Sequence, residues 1–399
     1  MTLTALHLWS ADGWAVQQQY DKMFEQQHPG IKISADNQAF SGDTTSKLLA
    51  LAAAGSLPDI IRAHPNYEVR FAASGIWLDL VPYVGRTKDF GLNEDFLPVS
   101  LQYHQKRGKL NAIPFTAGTY ILYFNQDLFD RAGLQYPKEQ WTYTGDFFNA
   151  VQKLTQRNGA SPSVGWSGQM PGMDVWSDPV FMHPWGGAFL NDAETACELD
   201  QQASRDALTW WLDLKNKYQF TPQATDKGYS FTSGQVAMMY QLPLALITLQ
   251  QAKPAFRWDV AQLPKGPATA STGIGAGGYG ISAASKQRDA AWTYLDAYTS
   301  TAGLTFMFAD SGQDLPARKS AWPAFLKRPG NPAHVQAFFD AGAHAITLRP
   351  FGAEGPDVLS KAGPIWADAV SGKRDVTTVT TDVNQVVTSV LKSESSDLT

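Results

Sequence analysis

The chain has 399 residues, 44% hydrophobic and 17% charged, with 32 Lys and Arg against 37 Asp and Glu for a formal net charge of -5. That length asks for two or three domains, and the composition excludes a disordered chain, a collagen and a coiled coil. No basic block extends beyond Lys106-Arg107-Gly108-Lys109, so nucleic acid and anionic membrane are not expected partners.

Apolar runs such as Leu48 to Ala54 and Leu242 to Leu249 stop well short of the ~20 residues that cross a bilayer. The only cysteine, Cys197, excludes an intramolecular disulfide, a four-cysteine zinc site and a CxxC redox pair. The opening Met-Thr-Leu-Thr-Ala has no basic segment leading into an apolar one, so any export signal is expected to be removed or absent.

In chain order, Leu3 to Trp9 reads as a buried strand. After an Asp12-Gly13 turn, Val16, Tyr20, Met23 and Phe24 share one helix face that His28-Pro29-Gly30 ends. A strand at Ile31 to Ala35, a helix at Thr44 to Ala54, a strand at Asp59 to Arg62 and a helix at Tyr67 to Ser74 follow. Strand and helix taking turns predicts a largely parallel α/β sheet. A second series opens at Tyr120 to Phe124, with helices over Asp127 to Ala132 and around Phe147, Val151 and Leu154. The spacing then predicts a helix at Ser204 to Tyr218, where core packing is the expected role of at least one of Trp210 and Trp211, and neither is counted among the site residues. Strands at Gln235 to Tyr240, Trp258 to Leu263 and Gly280 to Ala283 come next, then a helix carrying Ala291, Tyr294, Leu295 and Tyr298. The tail places Val379, Val383, Val386 and Val390 at helical spacing.

Catalytic signatures are absent or out of context. Gly273 to Gly280 contains two overlapping GxGxxG patterns, but a dinucleotide fingerprint must follow a strand and open a helix, whereas a strand-like Ile281-Ser-Ala-Ala follows here. GxxxxGK[ST], GxSxG and HExxH do not occur, and the seven His lack metal-ligand spacing. Glycoside hydrolysis needs two opposed carboxyl groups. Of eight Glu, only Glu68 and Glu354 do not read as solvated helix or turn positions, and Asp pairs stay open.

The strongest signal is aromatic: 13 Trp, 14 Tyr and 21 Phe make up 12% of the chain. Trp9 to Trp14, Trp166 to Gln169, Asp174 to Trp176, Trp185 to Gly187 and Gly277 to Tyr279 each set a flat ring among short polar or glycine neighbours. Such rings cover the C–H face of a pyranose while adjacent Asp, Asn, Gln and Arg groups bond its hydroxyls. Each ring taken alone reads equally well as a plug at a domain edge; five segments together favour a ligand site.

Several stretches resemble the extracytoplasmic solute-binding proteins of ATP-driven sugar importers, the maltose-binding-protein-like group. They are Phe24 to Ile33 (FEQQHPGIKI), Lys47 to Ile61 (KLLALAAAGSLPDII), Ala72 to Leu80 (AASGIWLDL) and Gly108 to Phe115 (GKLNAIPF) running into Leu122 to Gly133 (LYFNQDLFDRAG). Phe231 to Met239, Gly277 to Lys286 and Ala290 to Leu295 continue the likeness, which covers nearly the whole chain. The resemblance implies an α/β, two-lobed periplasmic-binding-protein-like fold with a ligand cleft between the lobes and a multi-stranded hinge. Residues 1–117 with 264–317 would form one lobe, and 118–263 with 318–399 the other. Pro114 to Gly118 and Gln262 to Gly266 are the expected crossings.

Open α/β sheets bind at strand C-terminal ends. The expected ligand contacts are therefore Trp9, Asp12, Trp14, Asp43, His64, Asn66, Gly278 and Tyr279 in the first lobe. The second would contribute Thr116, Trp166, Trp176, Trp185, Tyr240 and Arg349, with Asp314 near a crossing. Asp12 also reads as a turn former and Asp43 as a helix N-terminal carboxylate. The implied function is non-enzymatic capture of a di- or oligosaccharide for membrane permease subunits. It needs no metal, nucleotide or redox cofactor, and the protein would be an extracytoplasmic monomer, free in the periplasm or lipid-anchored. The alternatives are a glycoside hydrolase or lyase, or a binder of a non-sugar polar solute.

Overall fold

The computed structural model describes residues 1–38, 43–64, 67–106, 108–158, 161–168, 170–174, 177–347 and 355–396. β1 (Thr2–His7), β2 (Lys32–Asn37) and β3 (Ile60–Ala63) run parallel, with Leu3 opposite Ile33 and Ala5 opposite both Ala35 and Ile60. The crossovers are α1 (Ala11–Gln27) and α2 (Asp43–Ala53), and α3 (Glu68–Ala73) follows β3. Their apolar stripes meet the sheet: Leu48, Tyr67, Phe71 and Trp77 pack with Leu6 and Ile61.

Two later stretches complete this five-stranded sheet, in the order β2, β1, β3, Gly278–Ile281, Ile113–Pro114. Gly278–Ile281 runs antiparallel to β3, with Tyr279 opposite Arg62, so the sheet is mixed rather than wholly parallel. Because it is antiparallel, its first residue, Gly278, opens at the same edge as the C-terminal ends of β1 to β3, and Pro114 pairs with it there.

Contacts divide the chain into two units, Met1–Gly118 with Gly275–Pro329 and Thr119–Ile274 with Gly330–Thr399. The second and third boundaries thus fall downstream of the expected 263/264 and 317/318. Gln262 to Gly266 is no crossing, because its backbone is bonded within the second unit: Lys265 N–H donates to the Trp141 carbonyl at 2.8 Å, and the Lys265 carbonyl accepts from Tyr143 N–H at 2.9 Å. Residues just past 317 stay with the first unit, where Arg318 donates to the Phe90 carbonyl at 2.7 Å and to Asp95 at 3.1 Å.

In the second unit Ile121–Asn125 is a central strand, buried at every residue, between Met238–Gln241 and Trp258–Ala261. Both neighbours are antiparallel to it, so the parallel expectation does not extend here. Phe129, Tyr143, Phe147, Val151, Trp166 and Trp211 build one core on this sheet. Leu208 and Leu212 of helix Gln202–Asn216 build another with Val379, Val383 and Val387 of helix Val376–Ser396. Burial of that valine stripe outweighs the low helix propensity of β-branched residues. Among the described residues no helix is long and apolar enough to cross a membrane.

Candidate functional site

The chain leaves β1 through Leu8 and Trp9. Asn37, the last residue of β2, fixes that turn: its Oδ1 accepts from Trp9 N–H at 2.8 Å and its Nδ2 donates to the Trp9 carbonyl at 3.1 Å. The Trp9 indole N–H donates to Gln17 at 3.1 Å, and the ring packs on Phe115 and Phe308. Its face is already occupied, because the Arg62 guanidinium lies 4.0 Å from the ring centroid. Trp9 therefore positions Arg62 before it can serve as a stacking platform. Sequence reasoning missed Arg62; its signal is a lone cation behind two isoleucines in β3, two residues before His64.

Trp14 is half-exposed in the first turn of α1, its ring centroid 5.7 Å from that of His7. Asp12 also lies in that turn, exposed, and not in a turn ahead of the helix; Ser10 caps the helix by accepting from Gly13 N–H at 3.3 Å. His64 is half-buried and stacks on Tyr67. Asp314 is half-buried, with one carboxylate oxygen accepting from Leu315 N–H at 2.8 Å. These groups are electrostatically linked. Burial, and after it the Arg62 charge, pushes the imidazoles of His7 and His64 down to about 3. Burial pushes the Asp314 carboxyl up to about 7, against the pull of Arg62.

Three expected contacts in this unit are structural instead. Tyr279 is wholly buried between β3 and Ile113–Pro114, packs on Phe115 and Tyr298, and shares a hydrogen bond with His7 Nδ1. A Cβ on Gly278 would stand 2.7 Å from His104 Nε2, so that glycine permits close packing inside the sheet. Thr116 is buried, and its hydroxyl accepts from Gly277 N–H at 3.0 Å. The GxGxxG stretch joins strand Thr272–Gly275 to strand Gly278–Ile281 and opens no helix, which removes the nucleotide reading. Glu68 is buried against His104 Nδ1 at 2.8 Å, a pairing inside the fold. Asn66, the Asp43 side chain and Glu354 lie outside the described residues.

In the second unit Tyr143 stacks on Trp185, with ring centroids 5.2 Å apart and planes 24° from parallel, and Trp210 stands 5.0 Å from Trp185. Trp185 and Trp210 are half-exposed. Trp211 is wholly buried beneath them, in contact with Trp166. Trp211 is the core residue that the helical spacing asks for, and Trp210 reaches the surface beside Trp185. Trp166 and Tyr240 are buried and belong to the core: Trp166 N–H is bonded to the Phe220 carbonyl at 3.2 Å, and Tyr240 lies opposite Leu122 in the sheet. Trp176 and Arg349 lie outside the described residues. Among the described residues no group of three His, Cys, Asp or Glu side chains is placed to hold a metal ion.

Flat half-exposed rings, a held guanidinium and a nearby carboxyl are the equipment of a polar-solute site. The fold is that of the two-lobed solute-binding proteins. It matches the substrate-binding protein Lmo0181 of Listeria monocytogenes, solved with cycloalternan, at a TM-score of 0.84 and 21% identity, over 98% of this chain and 99% of that one. It matches the sugar-binding protein MalE of Xanthomonas citri at 0.84 and 20% identity, over 100% and 99%. The family model for bacterial extracellular solute-binding proteins matches residues 19–333, and the chain belongs to that family. The sn-glycerol-3-phosphate-binding periplasmic protein UgpB of Salmonella typhimurium is 24% identical over 276 residues, 66% of this chain. The matched stretch spans 62% of that relative's length.

Proposed function

We propose that this chain is the solute-capture component of an importer, taking up a di- or oligosaccharide reversibly outside the cytoplasm and delivering it to membrane permease subunits. The observation that carries this reading is the presence in each unit of half-exposed tryptophan, Trp14 beside His7 in the first, Trp185 and Trp210 in the second. Rings of this kind meet the apolar faces of sugar rings while the polar groups bond hydroxyls. The units act as the two lobes, each supplying part of the ligand contacts, and lobe closure is what a permease would read. No covalent step is needed, so the protein acts as a binder and not an enzyme. It works as a monomer.

The sugar-binding solved relatives support a carbohydrate. A second reading, a solute bearing phosphate, draws on the sn-glycerol-3-phosphate for which UgpB is named and on the unpaired charge of Arg62. Thermal-shift and mass-spectrometric assays with a panel of oligosaccharides test the proposal. A raised melting temperature with the sugar recovered intact is expected; new reducing ends would make the protein a hydrolase.

A further inference from the structure

β3 ends in a cation. Ile60 and Ile61 are wholly buried, and Arg62 follows them at the edge where the strand C-termini open. A guanidinium carries five N–H donors and stays charged at any physiological pH. In Arg62 one nitrogen, Nη1, is engaged, by the Leu8 carbonyl at 2.6 Å, while Nε is buried with no partner. Among the described residues no carboxylate forms an ion pair with it, whereas Arg86 and Arg318 of the same unit pair with Asp289 and Asp95.

The charge is held in place. Trp9 lies beneath it at 4.0 Å and Phe115 at 5.3 Å, so two ring faces carry the cation and leave its donor edge uncommitted. Trp9 is itself fixed by Asn37 and Gln17, which preorganises the guanidinium. The neighbouring imidazoles of His7 and His64 are neutral across the physiological range. Asp314, pushed up by burial to about 7, is ionised in part there, forms no ion pair with Arg62 and spends an oxygen on Leu315 N–H. α1 begins just beyond β1, so its N–H groups add partial positive charge at the same edge.

We propose that Arg62 is an anion receptor, and that the captured solute carries a carboxylate or phosphate group whose oxygens pair with the free edge of its guanidinium. The substrate class is then an acidic saccharide, a uronate or a sugar phosphate. This rests on the carbohydrate reading above. A neutral hydroxyl would satisfy a donor and leave the charge itself uncompensated in a partly buried site.

Calorimetry on the full chain decides it, with four probes: a neutral disaccharide, its uronate counterpart, a hexose 1-phosphate and glycerol 3-phosphate. Each is titrated at ~50 and ~500 mM salt into the wild type, R62K and R62Q. The uronate or the hexose phosphate should bind about tenfold or more tighter than the neutral sugar, with the advantage shrinking at high salt. R62Q should abolish that advantage and R62K keep part of it. A neutral sugar bound as tightly as the anionic ones overturns the proposal and leaves carbohydrate capture standing. Binding of glycerol 3-phosphate alone overturns carbohydrate capture and supports the receptor. Silence from all four probes counts against both. Should R62Q fail to fold, the salt response of the wild type still decides, since an anionic preference indifferent to salt overturns the role of Arg62.

Discussion

Gly266 lies so close to Pro184 that a Cβ built on it would stand 2.1 Å from the Pro184 carbonyl oxygen. That carbonyl also accepts from Ala268 N–H at 3.0 Å, and Ser271 donates to the Pro179 carbonyl at 2.7 Å. The segment after Leu263 is therefore the support for the turn His183–Trp185, which presents the Trp185 ring. Gly266→Ala should push that turn outward, cost about 1–3 kcal/mol of stability and weaken solute binding severalfold. Thermal denaturation and calorimetry check this; an unchanged melting temperature would mean the turn is free to move.

Tyr279 and His7 make a second prediction. Tyr279→Phe leaves His7 Nδ1 without its partner, and His7 Nε2 already has none. A buried polar atom stripped of its hydrogen bond costs about 1–3 kcal/mol, so the melting temperature should fall while solute affinity stays within about twofold. A large loss of affinity at unchanged stability would return Tyr279 to the ligand contacts.

The strands β1 to β3 were legible because their signals are local: apolar runs of the right length, separated by helical periods and closed by Gly and Pro. Which aromatic rings face outward was not. Trp166 and Tyr279 have the same small or polar neighbours as Trp14 and Trp185, and those neighbours report a turn or a strand end rather than exposure. Burial came from distant partners, Trp211 for Trp166 and Phe115 with Tyr298 for Tyr279. The antiparallel sheet of the second unit was hidden for the same reason, since Ile121–Asn125 finds both its neighbours more than a hundred residues away. Arg62 read as one more strand residue, because its role appears only when the Leu8 carbonyl and the Trp9 ring come beside it.

Opposed titrations shape the response to acid. The imidazoles of His7 and His64, pushed down to about 3, stabilise the fold above their unfolded value, and that contribution is lost as pH falls from about 6.5. Asp314 and Asp21, pushed up by burial to about 7 and about 6, act in the reverse sense: their contribution is full below about 4 and lost as pH rises through those values. The two pairs offset each other between about pH 4 and 7, so the wild-type melting temperature should change little there. Asp314→Asn with Asp21→Asn removes one side of the balance and should give a steep loss of stability below about pH 6.5. Melting curves from pH 4 to 8 measure it, and equal slopes for wild type and variant would refute the assignment.

Trp14 and Trp185 bear on the length of the solute. Each is half-exposed in its own unit, and Tyr143 covers one face of Trp185. If each tryptophan meets a different sugar ring, Trp14→Ala and Trp185→Ala should each weaken a disaccharide by about 1–2 kcal/mol, roughly five- to thirtyfold. Contacts to separate rings do not share a partner, so the double variant should lose the sum of the two. One sugar ring touched by both tryptophans would instead couple them, and the double variant would lose distinctly less or more than the sum. The first outcome is expected, together with a matching monosaccharide that binds about tenfold or more weakly than the disaccharide and responds to only one of the two substitutions. Calorimetry on the four proteins with both sugars measures all of this. Equal affinity for the two sugars would limit the site to a single pyranose and make the further aromatic surface at Trp210 part of the fold's exterior.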